Sequence, residues 1–227
     1  MKKLLQANTA GGARRIGEVF RDFCELTALC FRSAVDRGHG FDERRDRFSA
    51  VAGKYSTEEM QRFDQVLDGL VATLEAGFTD ALGELYMSLD LGNERLGQFF
   101  TPYDLSLVTA KLTIGDTLPL LVDRDFITVS EPASGSGGMI IALAHALRDE
   151  GVNYQQRIHV TATDLDPMAV FMTYVQLTLI NVPALVVHGN TLTQERFDVW
   201  PTPAHVLGGW RWKLAAKHAA DDVATIS

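Results

Sequence analysis

A chain of 227 residues has room for one large domain, or a compact domain with a helical appendage, which excludes a multi-domain machine. With 46% hydrophobic and 22% charged residues and a mean hydropathy of +0.01, disordered and collagen-like chains are excluded and a sizeable core is affordable. A net charge of -8 with pI 5.2 argues against a protein that coats nucleic acid unaided, because phosphate neutralisation needs clustered Lys and Arg.

No apolar run approaches the roughly 18 to 20 uncharged residues of a bilayer span, and the apolar stretch after Lys2-Lys3 is too short for a signal peptide. The chain is therefore read as intracellular and cytoplasmic, with no membrane partner. Residues 1–50 hold ten Lys and Arg against seven Asp and Glu, leaving 11 against 22 for the remainder. Arg14, Arg44, Arg45 and Arg47 could touch phosphates, but interleaved Asp42, Glu43 and Asp46 favour a salt-bridged solvated face.

All seven prolines lie at or after Pro102, so helices can run without interruption before it. Apolar residues from Ile16 to Ala34 recur at three and four, predicting a helix over 15–36. Cys24 and Cys30 fall within it. They read as two buried helical cysteines rather than a disulfide pair or a metal site, and no metal site is expected. Ser56-Thr57-Glu58-Glu59 is a capping box. It opens a second helix whose apolar stripe continues to about Asp90, with Gly69 and Gly77 as candidate breaks.

After Pro102, short β-branched runs alternate with helical stretches, the pattern of βα units feeding a parallel sheet. Strands are expected near 126–130, 158–163, 184–188 and 197–200, and helices near 104–113, 137–150 and 167–180. Asp166 caps the last of these, with Pro167 in its first turn.

The strongest local signal is Glu131-Pro132-Ala133-Ser134-Gly135-Ser136-Gly137-Gly138, after a strand and opening a helix. Such a turn lets backbone amides at a helix N-terminus approach a ligand at the carboxyl end of the strands. The dinucleotide fingerprint needs a third glycine where Ile140 stands, which weakens a nicotinamide or flavin reading and leaves another adenosine ligand or a plain tight turn as alternatives. Asp164 closes the next strand, where a carboxylate can accept hydrogen bonds from both hydroxyls of a ribose. Asn190, at the end of the third strand, could read an adenine edge, although Gly189-Asn190 is also an ordinary turn.

Four motifs in series, Gly97-Gln98-Phe99-Phe100-Thr101-Pro102, the glycine loop, Asp164-Leu165-Asp166-Pro167 and Gly189-Asn190-Thr191-Leu192, resemble the adenine-N6 DNA methylases of the type I restriction-modification M-subunit group. The resemblance implies an α/β fold with a Rossmann-like class I methyltransferase sheet over 93–227, preceded by an all-helical region over 1–92. It also implies S-adenosylmethionine as cofactor. Phe99, Phe100, Thr101 and Pro102 would line its methionine end. Glu131 and the loop residues Ala133, Ser134, Gly135 and Gly137 would hold its amino and carboxylate groups. Asp164, with Leu165 beside it, would hold the ribose, and Asn190 the adenine. Glu131 stands where the family usually has Asp, and Ser134 where it has Cys or Ala.

Two features depart further. The family follows Phe-Asp-Val with Asn-Pro-Pro-aromatic, whose acceptors bind the target amino group while the ring stacks on a flipped base. Here Phe197-Asp198-Val199 leads into Trp200-Pro201-Thr202-Pro203-Ala204-His205. Trp200 could stack and His205 could hydrogen-bond, but the catalytic set is left unassigned. A complete class I sheet has seven strands, and only one more is expected here, over 206–214, so the sheet reads as truncated.

Its open edge calls for a second copy, a partner subunit or the N-terminal helices. Trp210-Arg211-Trp212-Lys213 is a candidate contact. The functional expectation is an adenine-N6 DNA methyltransferase that meets DNA through a partner subunit. The alternative is a catalytically inactive relative acting through protein contacts around restriction-modification.

Overall fold

The computed structural model describes residues 1–38, 40–91 and 100–217. The N-terminal region is helical: α1 (Lys2–Ala7), α2 (Ile16–Val35), α3 (Phe41–Ala52), α4 (Thr57–Ala76) and α5 (Ala81–Ser88). The stripe read in α2 is its buried face, with Val19, Phe20, Phe23 and Leu26 in the core. The capping box at α4 is formed. Ser56 Oγ accepts from Glu59 N at 3.2 Å, and Glu59 Oε2 accepts from Ser56 N at 2.8 Å, satisfying two orphan amides.

Three findings refine the reading of this region. The long second helix divides after Ala76, at the Gly77 break, while Gly69 stays inside α4. The charged stretch after Gly40 is itself a helix, α3, held by Arg47–Glu25 and Arg44–Asp36 ion pairs in keeping with a salt-bridged face. Cys24 is buried but Cys30 is exposed. Six residues correspond to about 240° of rotation on an α-helix, so both thiols cannot share one face.

The second region contains α6 (Tyr103–Thr117), β1 (Ile127–Glu131), α7 (Gly138–Asp149), α8 (Tyr154–Arg157), β2 (Ile158–Asp164), α9 (Pro167–Leu179), β3 (Ala184–Asn190), β4 (Glu195–Pro201) and α10 (Pro203–Leu207), with helix again at 210–217. The strands lie in the order β1-β2-β3-β4. The first three are parallel, with Glu131 opposite Ala162 and Asp164 opposite His188. This mixed α/β architecture, helical at its N-terminus, matches the expected fold class. One hydrophobic cluster runs from Leu5 to Trp200, so the helical and α/β regions share a core.

The fourth strand departs from the parallel reading: β4 runs antiparallel to β3, with Val186 opposite Trp200 and Leu185 opposite Pro201. Only residues 191–194 separate the two strands, enough for a hairpin, whereas a parallel pair needs a crossover of a dozen or more residues. Gly189 is essential to this close pairing, because a Cβ there would lie 2.4 Å from the Glu195 carbonyl oxygen. The strand expected over 206–214 is helical instead. Thr202 caps α10 through the His205 amide, Pro203 occupies its first turn, and Gly208 and Gly209 link it to the 210–217 helix.

Trp210 is buried against Phe126 and His159, while Trp212 is exposed. The tetrapeptide Trp210 to Lys213 is therefore a helical turn packed on the sheet and not an edge strand. At the other edge, Arg32 of α2 reaches Asp198 at 3.5 Å and stacks over Trp200, so an N-terminal helix meets β4.

These C-terminal helices dock through a histidine pair. His159 Nε2 and His205 Nδ1 are 2.8 Å apart, sharing one proton between two neutral rings. Burial, with His205 adding to it, lowers the His159 pKa from 6.5 to about 4, and burial also lowers that of His205. A histidine depressed in the folded state is neutral there while the unfolded chain takes up protons. The stability contributed is therefore present above pH 6.5 and lost as pH falls from 6.5 towards 4. The urea midpoint should drop across that window, and His159→Gln should flatten the drop. A midpoint constant from pH 7 to 4.5 would contradict the pairing.

Candidate functional site

Two glycines build the loop after β1. Gly135 (φ +54) and Gly137 (φ +95) take left-handed conformations that side-chain-bearing residues rarely adopt. Gly137 then serves as the N-cap of α7. The loop is tied to its neighbours at three points. Ser134 N donates to Thr163 O at 2.9 Å, Thr173 Oγ1 donates to Gly135 O at 2.9 Å, and Gly135 N donates to Asp164 Oδ2 at 2.8 Å. The other oxygen of Asp164 accepts from Asp166 N at 2.9 Å. The parallel pairing of β1 and β2 thus brings the loop and the acidic strand end together.

Beside this junction opens a cavity of about 320 Å³, at the lower end of the roughly 300–1,000 Å³ range of small-molecule sites. Phe100, Thr101, Ala133, Ser134, Gly135 and Asp164, all expected at a cofactor site, line it. The ring of Phe100 lies against Tyr86 and covers Gly135 so closely that a Cβ at Gly135 would sit 2.9 Å from Phe100 Cδ1. Gly135→Ala therefore combines left-handed strain of about 1–2 kcal/mol with displacement of the cavity wall. Its melting temperature should fall by several degrees in a thermal scan, whereas wild-type stability would show that the loop relaxes freely.

The remaining expected residues lie further out. Glu131 is half-buried, and its Oε1 accepts from Ala133 N at 3.3 Å. Burial pushes its carboxyl above the usual range, as it does for Asp164. Pro102 and Gly137 cap α6 and α7. Leu165 is 60% exposed next to Asp164. Asn190 turns its carbonyl oxygen back to the amides of Leu192 and Thr193, 3.0 and 3.3 Å away, closing its own turn outside the cavity lining. Phe99, with Gly97 and Gln98, lies outside the described residues.

Asp80 was not singled out from the sequence. It is 3% exposed yet lines the cavity. Its Oδ1 accepts from Gly83 N at 3.0 Å and Gln176 Nε2 at 2.8 Å, and its Oδ2 accepts from Ser136 Oγ. Gln176 also bonds Ser136 O at 2.8 Å and accepts from Leu82 N at 3.0 Å, locking α5 and α9 to the glycine loop. Burial pushes the Asp80 carboxyl above its ordinary range. The available signal was a capping acid just past the Gly77 break, inside an otherwise apolar stripe.

Trp200 and His205 are not at this site. Because β4 is antiparallel, Pro201 lies opposite Leu185 and Thr202 Oγ1 accepts from Ala184 N at 2.9 Å, both at the start of β3. The glycine loop follows the end of β1. Residues 200–205 therefore sit at the opposite end of the sheet from the cavity. Trp200 is packed by Phe171, Tyr174 and Arg32, and His205 bonds His159. Among the described residues, no three His, Cys, Asp or Glu side chains cluster as a metal site, and no helix is long and apolar enough to cross a membrane.

A search of curated proteins finds no match. Among solved structures, a candidate class I S-adenosylmethionine-dependent methyltransferase from Listeria monocytogenes is similar at 12% identity with a TM-score of 0.47. The alignment covers 84% of this chain and 52% of that one, so the chain spans about half the length of that protein. The family described as N-6 DNA Methylase matches residues 79–215, from the segment holding Asp80 through the glycine loop and Asp164 into the 210–217 helix. Since that match takes in more than half of the sequence, the chain belongs to the N-6 DNA methylase family.

Proposed function

We propose that this chain binds S-adenosylmethionine in the cavity between the glycine loop and Asp164, and serves adenine-N6 methylation of DNA with a partner subunit that supplies the target-base contacts. The observation that carries the cofactor half is the 2.8 Å bond from Gly135 N to Asp164 Oδ2 at the cavity wall. It holds the ribose-binding carboxylate and the close-approach loop in one rigid unit. Each Asp164 oxygen keeps a second lone pair for a ribose hydroxyl. Ile140 N and Ile141 N donate to Gly137 O, which leaves the Gly138 and Met139 amides at the start of α7, the end of a helix where a carboxylate is favoured. No Lys or Arg lines the cavity, whereas Asp80, Asp164 and Asp166 do, a charge balance that suits a sulfonium cofactor carrying an ammonium group.

The place of residues 200–205 supports the partner half of this reading. They cannot present hydrogen-bond acceptors to an amino group at the cavity from the other end of the sheet. Flipping a duplex base costs a few kcal/mol of unstacking, and a chain of charge -8 has little cationic surface to offset it. The same placement favours a second reading, a cofactor-binding member of the family that acts through protein contacts without transferring a methyl group.

Tritiated methyl transfer to unmethylated DNA separates the two. Incorporation appearing only when a specificity or second methylase subunit is added supports the first reading. Cofactor binding without incorporation under any pairing supports the second.

A further inference from the structure

We infer that Asp80, together with the hydroxyl of Ser106, forms the subsite for the ammonium group at the amino-acid end of the cofactor. The inference rests on the cavity being the S-adenosylmethionine site. Two independent features converge on it. Asp80 is a buried carboxylate lining the cavity that makes no ion pair with any cation among the described residues. Its three protein partners are neutral donors: an amide, a carboxamide and a hydroxyl. A buried charge without a counter-ion is destabilising, and a cation arriving in the cavity relieves that.

Ser106 supplies the second feature. It stands near the start of α6, is fully buried, lines the same cavity, and its Oγ has no hydrogen-bond partner among the described residues. Buried polar atoms are normally satisfied, so an orphan on a cavity wall marks the place of a ligand group. An ammonium carries three donors. Asp80 Oδ2 retains a lone pair beyond the one used by Ser136, and Ser106 Oγ can accept a second donor.

The subsite also adjoins the helix that follows the glycine loop. Asp80 Oδ2 lies 3.0 Å from where a Cβ on Gly138 would be, so the subsite adjoins the first turn of α7. A carboxylate on the same carbon as the ammonium could then meet the first-turn amides of that helix. The ribose would occupy the Asp164 end of the cavity.

The test compares three ligands by calorimetry on the full chain: S-adenosylmethionine, S-adenosylhomocysteine, and 5′-methylthioadenosine, which lacks the amino-acid end. Asp80→Asn keeps the shape and, with its carbonyl oxygen at the Oδ1 position, the bonds from Gly83 N and Gln176 Nε2, while its NH2 group at the Oδ2 position donates to Ser136 Oγ instead of accepting from it. It should weaken the first two ligands alike, by about 10- to 100-fold, while leaving 5′-methylthioadenosine unchanged. Ser106→Ala should show the same selectivity with a smaller loss. Unchanged affinity for all three ligands in Asp80→Asn overturns the assignment. So does an equal loss for 5′-methylthioadenosine, and so does a loss confined to S-adenosylmethionine, which would place the charge at the sulfonium. Failure of the wild type to bind any of the three removes the cofactor site itself, an outcome distinct from the others.

Discussion

Asp164→Ala is expected to weaken S-adenosylmethionine binding by about 100-fold or more, measured by calorimetry on protein whose melting curve shows it folded. A hydrogen bond to a charged group contributes about 1.5–3 kcal/mol, and Asp164 is placed to offer one to each ribose hydroxyl. It also accepts from Gly135 N and Asp166 N, so its removal frees the loop that lines the cavity. Two losses are therefore combined, one of ligand contact and one of preorganisation. Asp164→Asn should fall between wild type and Asp164→Ala, because its carbonyl oxygen can keep one of the two amides while its NH2 group cannot accept. Equal affinity in all three proteins would remove Asp164 from the site.

Trp200→Ala should lower the free energy of unfolding by about 3–5 kcal/mol, a large fraction of the roughly 5–15 kcal/mol that holds a domain together. The indole is 5% exposed and packed edge-on by Phe171 and Tyr174 at 5.3 and 5.4 Å, with the Arg32 guanidinium 4.7 Å from its ring centre. Loss of this side chain leaves a cavity between α2, α9 and β4 and removes the ring face under Arg32, which keeps its ion pairs with Asp36 and Asp198. Urea denaturation monitored by far-UV circular dichroism checks it. A variant as stable as wild type that had lost only methyl transfer would return Trp200 to a base-stacking role.

Local chemistry made much of this architecture legible. The capping box at Ser56, the Pro167 first turn and the β-branched runs located α4, α9 and three parallel strands because each signal is written within a few residues. The loop-to-acid pairing was legible for the same reason: a strand, a glycine turn and a second strand fix the geometry between Gly135 and Asp164 through parallel register.

What the sequence concealed depended on contacts between distant segments. The run Glu195–Pro201 looks like a fourth parallel strand, but the four residues before it allow only a hairpin, and that reversal carries Trp200 and His205 to the wrong end of the sheet. Trp210 suggested an exposed edge strand, yet its burial against Phe126 and His159 requires a helix that returns over the sheet. Asp80 resembled an incidental cap in a helical stripe. Its contact with Ser136 spans 56 positions, and no local pattern announces that a residue of the N-terminal helices will line the cavity. Asn190 illustrates the converse: a residue suited to adenine by type closes a turn through its own carbonyl oxygen.

The most direct measurement is a crystal structure of the chain grown at saturating S-adenosylhomocysteine. Ribose hydroxyls within hydrogen-bonding distance of Asp164, with the amino-acid end running past Gly135 towards Asp80, is the predicted result. Ligand bound elsewhere, or a ligand-free crevice in which Phe100 still rests on Gly135, would contradict it.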